Sequence, residues 1–353
     1  MRVGMLPVGT GAIAKGVVPA AEGKAAAQDA GSLRVAQFNL WNFFDTADDP
    51  NTEDKVPSAQ EYQVKLAKVA RAIGGELGAP DIISLNEIEN ERVLDDLLKQ
   101  PEMQALGYQR IVGDLNDRRG IRVGMLYRSS RLDPVNVSQI NPKIDLPDPA
   151  SGQFDPTVLF ARAPLIVDFA LRGAAQAAEG AAHLTVVANH FKSKLGGNGP
   201  EERRQAQGKI MGEWVDARRA AQPGVPIMVV GDLNATYQDG AFKNLANHPD
   251  GTARLTDIPL SIPEGDRYTY IYRGRKDMLD HMLVTPEWKD ALTSVRIPHF
   301  NTAKGAMNHV PDPTKAAGVS DHDPMVADFD LSKLLRPSAG AVGAQAGAAG
   351  LRR

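Results

Sequence analysis

The sequence contains no cysteine. Disulfides and thiolate-bound metals are therefore excluded, and cysteine usage reveals nothing about the redox compartment. No apolar run approaches the roughly 20 residues needed to cross a bilayer. Near the N-terminus Lys15 and Pro19 interrupt the only apolar segment, so no clear signal peptide is recognised and location stays open. A large charge excess is also missing: 40 Lys and Arg stand against 43 Asp and Glu, net −3. There is thus no global nucleic-acid signature, and any site for a polyanion must be local. No His-Glu-x-x-His occurs and the seven histidines are scattered, which excludes the common zinc-protease arrangement. No internal repeat is found, and no linker interrupts residues 33–333.

What is present is ordinary for a globular protein with a sizeable core: 42% hydrophobic and 24% charged residues among 353. That length fits one large domain or two modest ones, and the missing linker favours one, over residues 32–333. The flanks, 1–31 and 334–353, are Ala- and Gly-rich without a period and read as flexible tails. Helix formation of an Ala-rich tail on a partner is the alternative. Between the tails, strands are expected at 33–40, 81–85, 121–127, 165–171, 184–188, 226–230, 279–284 and 325–329. Ser58-Ala59-Gln60-Glu61 is a capping box, followed by Tyr62, Leu66, Val69 and Ile73 at helical spacing. A short helix is expected at 91–99. Pro200 opens another that carries Ala206, Ile210 and Trp214, with Arg218 and Arg219 near its negative end. Only some strands are followed by helices, which points to two stacked mixed sheets with helices outside.

Three apolar runs end in polar signatures, Phe38-Asn39-Leu40-Trp41-Asn42, Leu85-Asn86-Glu87-Ile88-Glu89 and Gly231-Asp232-Leu233-Asn234, and a fourth signature, Gly318-Val319-Ser320-Asp321-His322-Asp323-Pro324, stands near the end of the ordered region. Polar residues placed where strands stop converge on one rim of a sheet, where sites are built. Glu87 offers a hard carboxylate oxygen and Asn39 an amide oxygen, a donor set that suits Mg²⁺ with phosphate as co-ligand. The plainer alternative makes Asn39 a turn cap and Glu87 a solvated helix-start charge. Asp232 and Asn234 can position a water or a transition-state oxygen, or simply form an Asx turn. Asp280, inside Met278-Leu279-Asp280-His281-Met282-Leu283-Val284, is costly to bury unpaired. His322 is its candidate partner, and an Asp–His pair makes a general base. His281, by strand alternation, faces the other way. His190, followed by Lys192 and Lys194, suits an anion. So does the guanidinium of Arg162; a surface salt bridge is its alternative. Two basic clusters stand out, Arg118, Arg119, Arg122, Arg128 and Arg131, and Arg267, Arg273, Arg275 and Lys276 interleaved with Tyr268, Tyr270 and Tyr272. They can grip a phosphodiester backbone or merely block strand pairing at an edge.

The order of these signatures over about residues 33–332 resembles the endonuclease/exonuclease/phosphatase superfamily. Phe38-Asn39-Leu40-Trp41-Asn42-Phe43-Phe44 and Asn189-His190-Phe191-Lys192-Ser193-Lys194 are most similar to its bacterial, often extracellular, nucleases, so secretion is allowed. The resemblance implies a four-layered α/β sandwich of the deoxyribonuclease I type and Mg²⁺-dependent cleavage of phosphate esters, with Mn²⁺ or Ca²⁺ admissible. By it Asn39 and Glu87 hold the metal and Asp321 assists the metal or the water. His322 is the general base oriented by Asp280, and Asp232 and Asn234 orient water. His190 contacts or protonates a phosphate oxygen, and Arg162 binds phosphate. One departure is visible. Pancreatic-type nucleases carry a Tyr and a Glu before the strand ending here at Tyr127, and that Glu supports the first catalytic His. This chain has Arg119 and Ile121 there, which leaves the support of His190 unassigned and makes Arg119 or Arg122 a phosphate contact instead.

The reading these features favour is a monomeric, Mg²⁺-dependent endonuclease of low sequence specificity, with DNA preferred to RNA. A phosphatase or phospholipase acting on inositol phosphates or sphingomyelin shares the same core residues. A catalytically dead binding module is the third alternative, opposed by the complete set of core ligand types.

Overall fold

The computed structural model describes residues 31–147, 154–173, 183–194, 198–302 and 312–335. Nearly all of the two expected tails lies outside them. Leu334, assigned to the C-terminal tail, instead closes a short helix and is buried.

In chain order the strands are β1 (Ser32–Phe43), β2 (Ile82–Ile88), β3 (Tyr108–Val112), β4 (Arg122–Arg128), β5 (Leu132–Gln139), β6 (Lys143–Pro147), β7 (Phe154–Val158) and β8 (Leu165–Leu171). They continue as β9 (Leu184–His190), β10 (Ile227–Asp232), β11 (Thr256–Asp257), β12 (Tyr270–Tyr272), β13 (Arg275–Asp277), β14 (Asp280–Val284), β15 (Leu292–Arg296) and β16 (Met325–Asp330). The α-helices are α1 (Ala59–Arg71), α2 (Glu91–Leu98), α3 (Pro101–Gln104), α4 (Asn198–Ala221), α5 (Gly240–Ala246), α6 (Pro286–Ala291) and α7 (Leu331–Leu334). One mixed six-stranded sheet runs β15-β16-β1-β2-β4-β3, and a second runs β11-β14-β10-β9-β8-β5. Two small hairpins, β6-β7 and β12-β13, stand apart.

Strand alternation decides what lies between the sheets. Leu33 and Val35 of β1, Ile82 of β2, Val123 and Met125 of β4, Val186 and Ala188 of β9, Met228 and Val230 of β10, and Met282 and Val284 of β14 share one core. The residues of opposite phase pack outward. Ala36, Phe38, Ile83 and Leu85 meet Tyr62, Leu66, Val69 and Ile73 of the α1 region. Val187, Val229 and Leu283 meet Met211 and Val215 of α4 and Leu245 of α5. Helix, sheet, sheet, helix is the four-layered sandwich expected from the sequence. The capping box forms at α1: the Ser58 hydroxyl accepts from Glu61 N–H and the Glu61 carboxylate accepts from Ser58 N–H.

One glycine is tied to this packing. Gly231 has φ +142°, and a Cβ there would lie 2.0 Å from the Asn189 carbonyl oxygen of the neighbouring strand. Gly231→Ala is therefore expected to destabilise the fold by about 1–3 kcal/mol or more, read as a lowered urea midpoint. An unchanged midpoint would mean that β9 and β10 separate more easily than their packing implies.

Candidate active site

At one end of the inter-sheet core the inward positions stop being apolar. Following the same phase, Val35 leads to Gln37 and Asn39, Ile82 to Ser84 and Asn86, Ala188 to His190, Val230 to Asp232, and Met282 back to Asp280. Register sets three of these side by side: Asp232 pairs with His190 on β9 and with Asp280 on β14. Asn39 pairs with Asn86 across β1 and β2 in the opposite sheet.

The side chains then close on one another. Asn39 Nδ2 donates to Asp232 Oδ2 at 3.0 Å. Asp232 Oδ2 lies 3.6 Å from His190 Nε2 and 3.9 Å from His322 Nε2. His190 Nε2 lies 3.8 Å from Glu87 Oε1. His322 Nδ1 donates to Asp280 Oδ2 at 2.6 Å, which fixes the tautomer and turns Nε2 toward Asp232. Asn39, Glu87, His190, Asp232, Asp280 and His322 thus form one continuous cluster. Asn234 closes an Asx turn, its N–H donating to Asp232 Oδ1 at 2.8 Å, while its Nδ2 donates to Phe191 O. The Asx-turn alternative and the orienting role are therefore compatible. Glu87 lies within β2 and is nearly buried, not a solvated helix-start charge. Asp321 sits close enough to His322, Glu87 and Lys65 to feel all three charges.

Gln37 and Asn86 hold the cluster together from beneath. Gln37 Nε2 donates to Asp280 Oδ1 at 2.7 Å and to Asn86 Oδ1 at 3.2 Å. Asn86 Oδ1 also accepts from Asp232 N, and its Nδ2 donates to Asn189 O. The sequence reading gave neither a role, although the signal existed: both continue the inward phase of a buried strand. Lys65 of α1 was also passed over. It donates to Val319 O and Trp41 O and so ties the His322 loop to the end of β1. Ser320 does the same, its hydroxyl donating to Asn39 O and accepting from His322 N. Asp323 anchors the loop from behind by accepting from Asn301 N and Thr302 N.

Backbone strain gathers here. Six described non-glycine residues have left-handed φ, and four of them, Trp41, Asn42, Glu87 and Asn234, belong to this rim. Such strain persists where the surroundings over-determine it, commonly at functional sites.

The expected cations divide. Arg119 Nη1 stands 3.8 Å from Glu87 Oε2 and donates to Asn42 Oδ1 at 2.9 Å; its side chain is 39% exposed. Arg162 is buried, with Nη1 donating to Asp117 Oδ2 at 2.7 Å and Nη2 to Phe191 O at 2.7 Å. Asp117 also pairs with Arg119 at 3.3 Å, so Arg162 is joined to Arg119 through it. Lys192 is half-buried and close to the charges of Arg162, Arg203 and Arg119. Arg122 points elsewhere, donating to Glu89 O and Asn116 Oδ1 beside a surface cavity of about 300 Å³ lined by Asp45, Asp49 and Glu89. The first basic cluster is therefore not one patch. Arg128 and Arg131 sit at the far end of β4, where Arg131 pairs with buried Asp81. His281 faces outward as expected, bonded to Asp257 and to Ala235 O.

Burial and neighbours set the protonation pattern. Burial and then Asp280 push the Asp232 carboxyl up to about 7. Burial works against a charged His322, yet Asp280 and Asp232 together hold it well above its ordinary value. Burial, reinforced by Arg162 and Arg119, drives His190 well below it, so His190 is neutral at neutral pH. Its Nδ1 is buried with no hydrogen-bond partner among the described residues, in keeping with the missing supporting Glu. Oxygen donors with a surplus of negative charge are what a hard divalent cation requires. Glu87, Asp321 and the Asn39 amide fit one, and the nearby atoms of Asp232, Asp280 and His322 also lie within 4.8 Å of one another.

The sandwich, with its acidic rim and Asp–His pair, agrees with the family comparison. The family described as Endonuclease/Exonuclease/phosphatase family matches residues 34–297, and this chain belongs to it. Members of that family are hydrolases acting on phosphodiester bonds and are generally dependent on a divalent metal. Among solved structures, the chain is similar to an endonuclease/exonuclease/phosphatase from Bacteroides vulgatus (TM-score 0.54, 18% identity, 85% of this chain and 99% of that one). It is also similar to a humanized D. rerio TDP2 (0.52, 17%, 85% and 99%) and to the human Nocturnin catalytic domain with bound sulfate anion (0.50, 19%, 85% and 94%). At these identities the likeness shows the fold. Among curated proteins none matches this chain in sequence. No helix among the described residues is long and apolar enough to cross a membrane.

Proposed function

We propose that this protein is a Mg²⁺-dependent endonuclease of low sequence specificity that hydrolyses DNA in preference to RNA. The observation that carries the reading is the His322–Asp280 pair, whose free Nε2 faces Asp232 beside Glu87. Asn39, Glu87 and Asp321 are the residues that would hold the metal, which when bound supplies charge to neutralise a phosphate oxygen. A sulfate bound to Nocturnin and a single-strand DNA product bound to D. rerio TDP2 support a tetrahedral-anion and nucleic-acid reading of this fold.

In the proposed reaction, a water oriented by Asp232 and Asn234 attacks phosphorus opposite the leaving oxygen. Its proton passes to the Asp232–His322 pair, whose facing atoms lie 3.9 Å apart. The new P–O bond forms as the bond to the leaving oxygen breaks, and solvent protonates that oxygen. Neutral His190 directs its Nε2–H into the cluster and hydrogen-bonds a phosphate oxygen while keeping its proton. Arg119 supplies the accessible cation, held in place by Asp117 and the buried Arg162 behind it.

A panel of plasmid, single-stranded DNA, RNA and inositol phosphates with Mg²⁺ tests the reading. Release of phosphate from inositol phosphates without cleavage of nucleic acid would overturn it. The pH profile carries a second expectation. A proton acceptor must be unprotonated, so kcat/KM should rise with pH through about 7, where Asp232 titrates, and then level. A rate that falls over this range would exclude the pair as acceptor.

A further inference from the structure

The second basic cluster of the sequence is used by none of the steps above, yet the fold brings it to the catalytic pair. β12 and β13 form a two-residue hairpin in which Tyr270 pairs with Asp277 and Tyr272 with Arg275. Its base is fixed to the site. Tyr270 bridges to the backbone of His322, and the two rings lie 4.9 Å apart at 40°. Thr269 binds both sides of this junction, accepting from Leu279 N, Asp280 N and Asp323 N.

Alternation puts Tyr270 and Tyr272 on one face, two residues and so about 6.6 Å apart along the strand. Tyr270 covers His322. Tyr272 continues the face into solvent, where it is 47% exposed and its ring is open to a ligand. Lys276, of the opposite phase, packs over Tyr268 at 4.1 Å, and Tyr268 in turn stacks on His299 at 4.0 Å, which braces the back of the hairpin. The tip is Arg273-Gly274, both with positive φ (49° and 82°). Such a turn favours Asn, Asp or Gly at its first position. Arginine is kept there against that preference, its guanidinium 5.2 Å from the Tyr272 ring centre, and it forms no ion pair among the described residues. An exposed ring beside an unpaired guanidinium is suited to a base stacked on the ring with its phosphate on the cation.

We propose that this hairpin is a single-strand binding platform: an unpaired nucleotide flanking the scissile phosphate stacks on Tyr272, and Arg273 takes its phosphate. A duplex cannot use the platform in this way, because its bases are already stacked and their faces hidden. The proposal deepens the nuclease reading and rests on it; the occupant is a single strand, and a duplex is the competing outcome.

Binding measured in EDTA separates the platform from the chemistry. The probe is a fluorescent oligothymidine of about ten nucleotides, within the range of single-strand site sizes. Tyr272→Ala is expected to weaken its binding by about 5- to 150-fold, the range for loss of one stacked base. Tyr272→Phe, which keeps the ring, should bind as the wild type does. Arg273→Asn suits the turn better than arginine and so spares the fold. It should reduce the slope of log affinity against log salt by about 0.7, one single-strand phosphate contact. Hydrolysis of bis(p-nitrophenyl) phosphate, which carries no flanking nucleotide, should be unchanged in all three variants. Equal single-strand affinity in the wild type, Tyr272→Ala and Arg273→Asn would overturn the platform, as would a loss seen only with duplex DNA. Failure of the wild type to cleave the small diester would count against the hydrolase reading, with the binding measurement still deciding the platform.

Discussion

His322→Ala is expected to lower plasmid cleavage by about 10²- to 10⁴-fold, and Asp232→Ala to do the same. The reason is geometric: these two residues face each other across 3.9 Å and provide the proton acceptor in the proposed reaction. Alanine at 322 also strips Asp280 of its imidazole and leaves it, fully buried, with the Gln37 amide and its own surroundings. An unpaired buried charge is destabilising, so some loss of Tm accompanies the loss of rate. His322→Asn separates the two effects. Its side-chain amide replaces the Nδ1–H donor toward Asp280 but has nothing at the Nε2 position. Tm should recover toward the wild-type value while cleavage stays low. Normal turnover in His322→Asn would exclude His322 from the chemistry.

Removal of the divalent ion carries the other large effect. EDTA should stop plasmid cleavage, and Mg²⁺ or Mn²⁺ should restore it. Glu87 is the residue to change, since it is a nearly buried carboxylate and Arg119 remains 3.8 Å away. Glu87→Gln keeps the shape and removes the charge. Mn²⁺ affinity, read by calorimetry on the free protein, should fall by about 10- to 100-fold or more, the scale known for disturbed metal sites. Undiminished Mn²⁺ affinity would move the ion to the neighbouring Asp232, Asp280 and His322 atoms. Full cleavage in chelator would remove the metal from the reading.

The sequence was informative wherever chemistry broke a strand's apolar rule. Asn39, Glu87, Asp232 and Asp280 could be singled out because each interrupts or ends a run that should otherwise be buried and dry. That Asp280 needs a partner followed from cost, since a carboxylate inside Met278–Val284 is expensive to bury unpaired; His322 was the candidate the resemblance also implied, and the two are hydrogen-bonded. His281 was set aside by period, and its contacts with Asp257 and Ala235 O bear that out. Gln37 and Asn86 escaped notice because an amide inside a strand signals little until the opposite sheet supplies its partners. Lys65 carried no local signal at all; it lies on a helix, and its carbonyl partners come from residues 41 and 319.

The basic clusters show the same division from the other side. Arg119 and Arg128 are close in sequence, but an extended strand carries the chain about 3.3 Å per residue, which puts Arg128 and Arg131 at the far end of β4 from Glu87. Tyr270 of the hairpin is far from His322 in sequence and meets it where Thr269 binds both Asp280 and Asp323. What the amino-acid order determined by itself was local: the period of each element, its caps, and the polar residues that no buried strand tolerates without a partner. Which of these meet was decided by the stacking of two sheets, because hydrogen bonds and charge pairs act over a few ångströms and depend on position in space, not along the chain.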